Sequence, residues 1–239
     1  MGLAQSFNKA IHDQLTSYAA WFPIVNTFEV GEYGIFKDGI FQSLGNLKKK
    51  YPDIQLDIQK SEPAEIDFLS SGTRTFKFDA SGNSINSFAG LGGAEASLKI
   101  VFDSADSSMI KAKLTSQELK NIDEVATSLA NKKGWRNKFS VVSKAFTGEH
   151  CVIVCSKESG TEVEIKAGAD VLQQIEGGKV QGGFDFKSTR DSTFKAIGET
   201  GVLALGLFKL NLFNDVKVLN LNKGDFEVIK LSGEVQDDY

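Results

Sequence analysis

Apolar residues at the head of the chain recur every three or four positions: Leu3, Phe7, Ile11, Leu15, Tyr18 and Phe22. At 3.6 residues per turn this spacing lines one face of a helix. It predicts an amphipathic helix filling residues 1–22, ended by Pro23. Its other face holds Asn8, Lys9, Asp13, Gln14 and Thr16. A membrane-surface helix would carry Lys and Arg there, so packing on protein is the better expectation.

The period then drops to two. In GEYGIFKDGIFQSLGN, residues 31–46, Asp38 and Gly39 predict a two-residue hairpin turn. Lys37 then pairs with Ile40, Phe36 with Phe41 and Ile35 with Gln42. Ile54, Leu56 and Ile58 predict one strand face, Ile66 and Phe68 a second, and Phe76 and Phe78 a third. Turns are expected at Ser71-Gly72, Ser81-Gly82-Asn83 and Ser104–Ser107.

Thr115 and Glu118 have capping-box spacing, so a helix is expected from Thr115, with Leu119, Ile122, Val125, Ala126 and Leu129 buried and Gly134 as its stop. Strands follow at about 137–146, 149–157 and 161–167, turning at Thr147-Gly148 and Ser159-Gly160. A short helix at 169–176 stops at Gly177-Gly178. Strands then resume at Val180–Lys187, Ser192–Ile197, Val202–Phe213, Val216–Leu221 and Phe226–Leu231, before a frayed acidic tail at 232–239. Strands outnumber helices and seldom alternate with them. This predicts one α+β domain over residues 1–239, mostly antiparallel sheet with about three helices.

Composition agrees, with 18 Phe, 23 Gly and only 3 Pro favouring pleated, turn-rich structure. A net charge of -4 argues against a nucleic-acid binder, which needs a strongly basic face. Cys151 and Cys155 share one face of a strand, about 13 Å apart and too far to pair within it. Two buried thiols imply a reducing compartment and a cytoplasmic location. MGLAQS carries the Gly2 and Ser6 of a myristoylation pattern, with no polybasic neighbour to add a second anchor.

Candidate chemistry is sparse. His12 and His150 are the only histidines, His150 points away from the face of Cys151, and no cofactor or metal set forms locally. Glu162 and Glu164 share a strand face, the usual solvated side of an amphipathic strand. GLGGAE, from Gly90, fits no phosphate-loop pattern. The densest basic segment holds Lys132, Lys133, Arg136 and Lys138 around Trp135 and Phe139. Basic and aromatic residues so interleaved suit a partner or an anionic surface, although Lys132 and Lys133 also suit a helix C-terminus. Lys48–Lys50 form a second, smaller patch.

Two resemblances add to this reading. The stretch FEVGEYGIFKDGIFQSLGN, after a helix with Trp21, resembles the start of an uncharacterised group of bacterial proteins, which implies a bacterial origin and no activity. An N-terminal helix followed by two glycine-bearing hairpin regions, Ser84–Leu114 and Val180–Phe213, flanking a helix resembles the architecture of gasdermin-type pore formers. That resemblance implies membrane-inserting hairpins and carries over no residue roles. The expected function is non-enzymatic: binding a protein partner or self-assembling through a sheet edge or the N-terminal helix. Its alternative is a pore former held soluble until triggered.

Overall fold

The computed structural model describes residues 3–21, 23, 25–37, 39–177, 183–210, 216–220 and 225–229. Gly2, Phe22, Asp38, Val180, Phe213 and the tail at 232–239, each part of an expectation above, lie outside the described residues.

Helix α1 (Leu3–Leu15) is shorter than its apolar spacing predicts. Thr16 breaks it with φ +45°, and β1 (Tyr18–Ala19) pairs with Leu205 and Ala204, so Tyr18 is buried by strand pairing. The hairpin β2 (Glu32–Lys37) and β3 (Ile40–Asn46) has the predicted register: Lys37 opposite Ile40, Phe36 opposite Phe41, Ile35 opposite Gln42. Gly39 supplies the positive φ, +79°, that such a turn needs. The one-turn helix α2 (Leu47–Lys50) follows, capped by the Asn46 side chain.

Next come β4 (Ile58–Lys60), β5 (Ala64–Leu69), β6 (Thr73–Asp79) and β7 (Ser84–Ile85). Ile54 and Leu56 precede β4, which shortens the strand expected there; Ile54 is buried from a turn. Then follow β8 (Glu95–Phe102) and β9 (Ser107–Leu119).

The capping box at Thr115 and Glu118 is overturned. Both residues lie in β9, which pairs with β4 on one side. On the other it meets β10 (Ser140–Ser156), with Thr115 opposite Thr147 and Glu118 opposite Lys144. Two ladders of backbone hydrogen bonds outweigh a cap worth about 1 kcal/mol. Helix α3 (Ile122–Ala130) starts after Asn121 instead and buries Val125, Ala126 and Leu129.

The turn expected at Thr147-Gly148 is absent too, for β10 runs straight through it. Gly148 is there for closeness: a Cβ would run into Cys151 Sγ and would meet Leu203 Cδ1 at 2.8 Å. After β11 (Thr161–Gly168) the predicted helix α4 (Ala169–Glu176) appears. Then come β12 (Asp185–Ser188), β13 (Thr193–Leu210), β14 (Val216–Asn220) and β15 (Asp225–Ile229). The segments 192–197 and 202–213, expected as two strands, are joined in β13 as far as Leu210, and 211–213 lie outside the described residues.

All strand pairs are antiparallel, and with four helices among the described residues the protein is α+β. A ten-stranded sheet runs β15-β14-β13-β10-β2-β3, with β9 on β10 and β4 and β5 on β9. A five-stranded sheet runs β12-β11-β8-β6-β7. One core lies between the sheets around Leu98, Ile100, Phe102, Met109, Val152, Val154, Val163 and Ile165, closed by Leu172 and Ile175 of α4. A second lies under α1, where Phe7 and Ile11 cover Ile110, Ala112, Cys151, Ile153 and Cys155. A third joins Tyr33, Leu47, Tyr51, Leu129, Phe139 and Val141 at the far end of β10.

Candidate functional site: a bent sheet and a cationic aromatic patch

The expected hairpin regions are built differently from their prediction. β8 and β9 do not pair with each other, nor do β12 and β13. Each couple is one long strand folded over at a corner, with one arm in each sheet. The strand order β5-β9-β10-β13 in the large sheet matches β6-β8-β11-β12 in the small one, corner by corner. The two sheets therefore meet as one four-stranded antiparallel sheet, bent across its width.

Register follows the bend. Ser156 faces Ser107 on one side and Thr161 faces Phe102 on the other, five residues on along one strand and five back along its neighbour. Next to them Ser156 faces Thr193 and Val163 faces Ser188, seven residues against five. Backbone hydrogen bonds continue through the corners: Gly160 N–H donates to Phe102 O at 2.7 Å, Asp103 N–H to Gly72 O at 2.7 Å, and Thr189 N–H to Glu162 O at 3.0 Å.

Each of three corners also turns its strand over. In 95–119 the even positions Ala96, Leu98, Ile100 and Phe102 face the core between the sheets, whereas Ile110, Ala112 and Leu114 face α1. In 140–168 the odd positions divide likewise, Val163, Ile165 and Ala167 between the sheets and Cys151, Ile153 and Cys155 under α1. In 185–210 Phe186 faces the first core, and Phe194 and Ala196 the second. Alternate residues of an extended strand share a face. Straightened, each of these strands would gather residues of two separate cores onto one face, with Met109, Val152, Val154 and Ile197 of the large-sheet arms at the opposite parity. In the small-sheet arms the opposite face carries Ser97, Lys99, Glu162, Glu164, Lys166, Asp185 and Lys187. The fourth strand has Ile66, Phe68, Phe76 and Phe78 at one parity, but Phe76 and Phe78 stand opposite Lys99 and Ser97 on the outer face of the small sheet, and Phe76 is 38% exposed.

The basic segment lies elsewhere. Tyr33, Tyr51, Trp135 and Phe139 form a ring cluster, Trp135 standing 5.4 Å from Phe139 and 5.8 Å from Tyr33. Lys50 Nζ sits 4.6 Å from the Tyr33 ring, a cation–π contact that brings Lys48–Lys50 beside Lys132–Lys138. The two basic patches that look separate in sequence are thus one. Lys132 pairs with Asp53, and its ammonium holds the Asp53 carboxyl below the usual carboxylate range. Lys48, Lys49, Lys133, Arg136 and Lys138 are exposed. The Tyr51 hydroxyl and Trp135 Nε1 are buried without a hydrogen-bond partner among the described residues. This patch begins where β10 begins, at Ser140 opposite Gly34, and the bend lies where β10 ends, at Ser156. At about 3.3 Å per residue the two are on the order of 50 Å apart.

The other candidates stay dispersed. Glu162 pairs with Lys99 at 2.7 Å and Glu164 with Lys166 at 3.6 Å. His150 stands at a bulge in β10 with φ +52°. An apolar cleft of about 400 Å³ is lined by Pro23, Val25, Phe184, Phe194 and Ile197, and by none of these groups. Among the described residues no cluster of His, Cys, Asp or Glu could hold a metal, and no helix is long and apolar enough to cross a membrane. Cys151 and Cys155 are free and buried, and burial pushes both thiols up to about 12, with Glu149 adding to the effect at Cys151.

Fold and site together define a class: an α+β protein built on a bent antiparallel sheet, with a cationic aromatic patch at one end and the bend at the other. Among solved structures, a bacterial gasdermin from Bradyrhizobium tropiciagri is similar at 12% identity, over 93% of this chain and 91% of its own, with a TM-score of 0.40. No family model and no curated protein matches.

Proposed function

We propose that this chain is a non-enzymatic, gasdermin-like pore-forming protein that acts by self-assembly in a membrane. The observation carrying the reading is the shared parity of apolar residues on both sides of the bend in three adjacent strands. The small-sheet arms have the one apolar and one polar face that the wall of a membrane β-barrel requires. The small-sheet arms β8 and β11 are eight residues each, about 26 Å extended, against a hydrocarbon core of about 30 Å. Extension through the corners supplies the remainder. Two inserting hairpins result, 64–79 with 95–119 and 140–168 with 185–210, each longer than its sequence pattern suggests.

In this reading the patch lies far from the moving arms, and its exposed Lys133, Arg136 and Lys138 stay open to an anionic partner or a second copy. Dye release from anionic liposomes, with and without proteolytic trimming of residues 232–239, is the test. Release is expected after trimming. Intact liposomes under every trimming sink the pore reading and leave assembly with a soluble partner.

A further inference from the structure

The corners of the second long hairpin are closed by one repeated device. In SKESGT, residues 156–161, the Ser156 and Thr161 hydroxyls lie 2.6 Å apart, and both reach the Glu158 carbonyl, at 2.9 and 2.8 Å. In STRDST, residues 188–193, the Ser188 and Thr193 hydroxyls lie 2.7 Å apart, and both reach the Arg190 carbonyl, at 2.9 and 3.0 Å. The third residue's N–H returns to the serine at 3.2 Å in both, Glu158 to Ser156 and Arg190 to Ser188. The same spacing, serine first and threonine sixth, thus makes the same four contacts twice.

The two corners are neighbours and are tied together. Glu162 N–H donates to Thr189 Oγ1 at 3.0 Å, and Arg190 approaches Glu158 at 3.8 Å. The other two corners use related but unequal parts. Ser70 and Thr73 hydroxyls lie 2.9 Å apart, Ser107 Oγ donates to Ser104 O, and Arg74 grips Asp103 with two bonds of 2.7 and 2.8 Å.

An extended strand cannot keep these contacts. Residues one and six of a straight segment stand about 16 Å apart, so straightening must break the hydroxyl pair first. We infer that the paired Ser–Thr braces at 156–161 and 188–193 are the latch that holds the second hairpin bent, and that its regulation lies in their release. This rests on the pore reading for its biological use, whereas the latch itself is a property of the protein in solution.

Hydrogen exchange on the full chain without membranes tests the latch. Ser188→Ala with Thr193→Val removes the exposed brace and leaves the buried pair Ser156 and Thr161 to keep the fold. Exchange at Thr189 and Glu162 should rise about three- to tenfold, the loss of one or two hydrogen bonds, with Leu98–Phe102 and Val163–Ala167 unchanged. The swapped pair Ser188→Thr with Thr193→Ser keeps both hydroxyls and should restore slow exchange. No rise, a uniform rise over all strands, or fast exchange in the swapped pair overturns the latch. Dye release is read separately: a loosened bend with no faster release refutes the pore reading and leaves the latch standing.

Discussion

The two arms of the bent sheet bury the same strands in opposite ways. The small-sheet arms have one covered face, and their exposure alternates residue by residue, as in EASLKIVF and TEVEIKAG. The large-sheet arms are covered twice: 151–155 by the facing arm on one side and α1 on the other, and 201–205 by the far-end core on one side and α1 on the other, so both runs are buried without a break. One-sided burial leaves the small-sheet arms with a single apolar face. Two-sided burial makes the large-sheet arms the costlier half to move. The difference shows which half can change its surroundings: an arm held by one core is cheaper to move than an arm held by two.

The largest expected effect probes that asymmetry within one sheet. Phe102 is fully buried between the sheets, and Phe76 stands 38% exposed on β6. Phe102→Ala should cost about 3–5 kcal/mol in chemical denaturation, by lost transfer energy and a cavity. Phe76→Ala should cost under about 1 kcal/mol. Equal costs would mean that β6 is covered on both faces and that the comparison between arms is wrong.

A middle effect tests what ties the arms together. Lys111, 8% exposed on β9, reaches Asp67 on β5 at 2.5 Å and the Glu176 carbonyl of α4 at 3.5 Å. Lys77 of β6 reaches the Glu176 carboxylate at 2.6 Å, so α4 is clasped from both sheets. Asp67→Asn leaves the Lys111 ammonium without its carboxylate and should cost about 1–2 kcal/mol, less than a wholly buried pair because Asp67 is itself exposed. Glu176→Gln should cost less, with faster exchange confined to α4 and its contacts. A loss spread evenly over both sheets would deny α4 this bridging place.

The same contrast explains what could be read from the chain. Alternation marks β5, β6, β8 and β11 because one face of each meets solvent. It fails at Thr147-Gly148, where β10 has neighbours on both sides and the glycine makes room for the Cys151 thiol and for Leu203, a residue far away in sequence. It fails again at Thr115, where local capping chemistry is correct in form but the strand ladders are stronger. The bend could not be read at all. Ser104–Ser107 and Ser159-Gly160 look like hairpin turns, and only the matched strand order reveals corners between sheets. Likewise Lys50 and Lys132 look unrelated until Tyr33 and Tyr51 bring them together. The repeated Ser–Thr spacing was visible in principle, as two hexapeptides with serine first and threonine sixth.

A smaller effect is read with pH. Cys151 and Cys155 lie on the α1-covered face, and burial raises both from 9.0 to about 12. Below pH 9 both states keep these protons, so the thiols add no pH dependence. Between about 9 and 12 the unfolded chain gives them up and the folded chain does not, so stability falls as pH rises. Each thiol should contribute up to about a tenfold loss in the folded-to-unfolded ratio per pH unit in that window. Denaturation midpoints for the native chain and for Cys151→Ala with Cys155→Ala should diverge above pH 9 and run parallel below it. Curves that stay parallel to pH 12 would show thiols in contact with water, and an α1 that does not seal this face.

The smallest effect belongs to the solvent face of the small-sheet arms. Lys99 and Glu162 form a pair at 2.7 Å across β8 and β11, with side chains 35% and 45% exposed. Water screens such a pair, and holding two long side chains costs entropy, so Glu162→Gln should change stability by under about 1 kcal/mol. Glu162→Leu is more informative. It should be nearly neutral for folding, since the site is open, yet it places an apolar residue on the polar face of a strand that, under the proposed pore reading, needs two unlike faces to line a barrel. Unchanged stability with weaker dye release would tie that face to the inserted state. Unchanged stability with unchanged release would mean that the polarity of this face matters only for solubility, and the contrast between the arms would then concern folding alone.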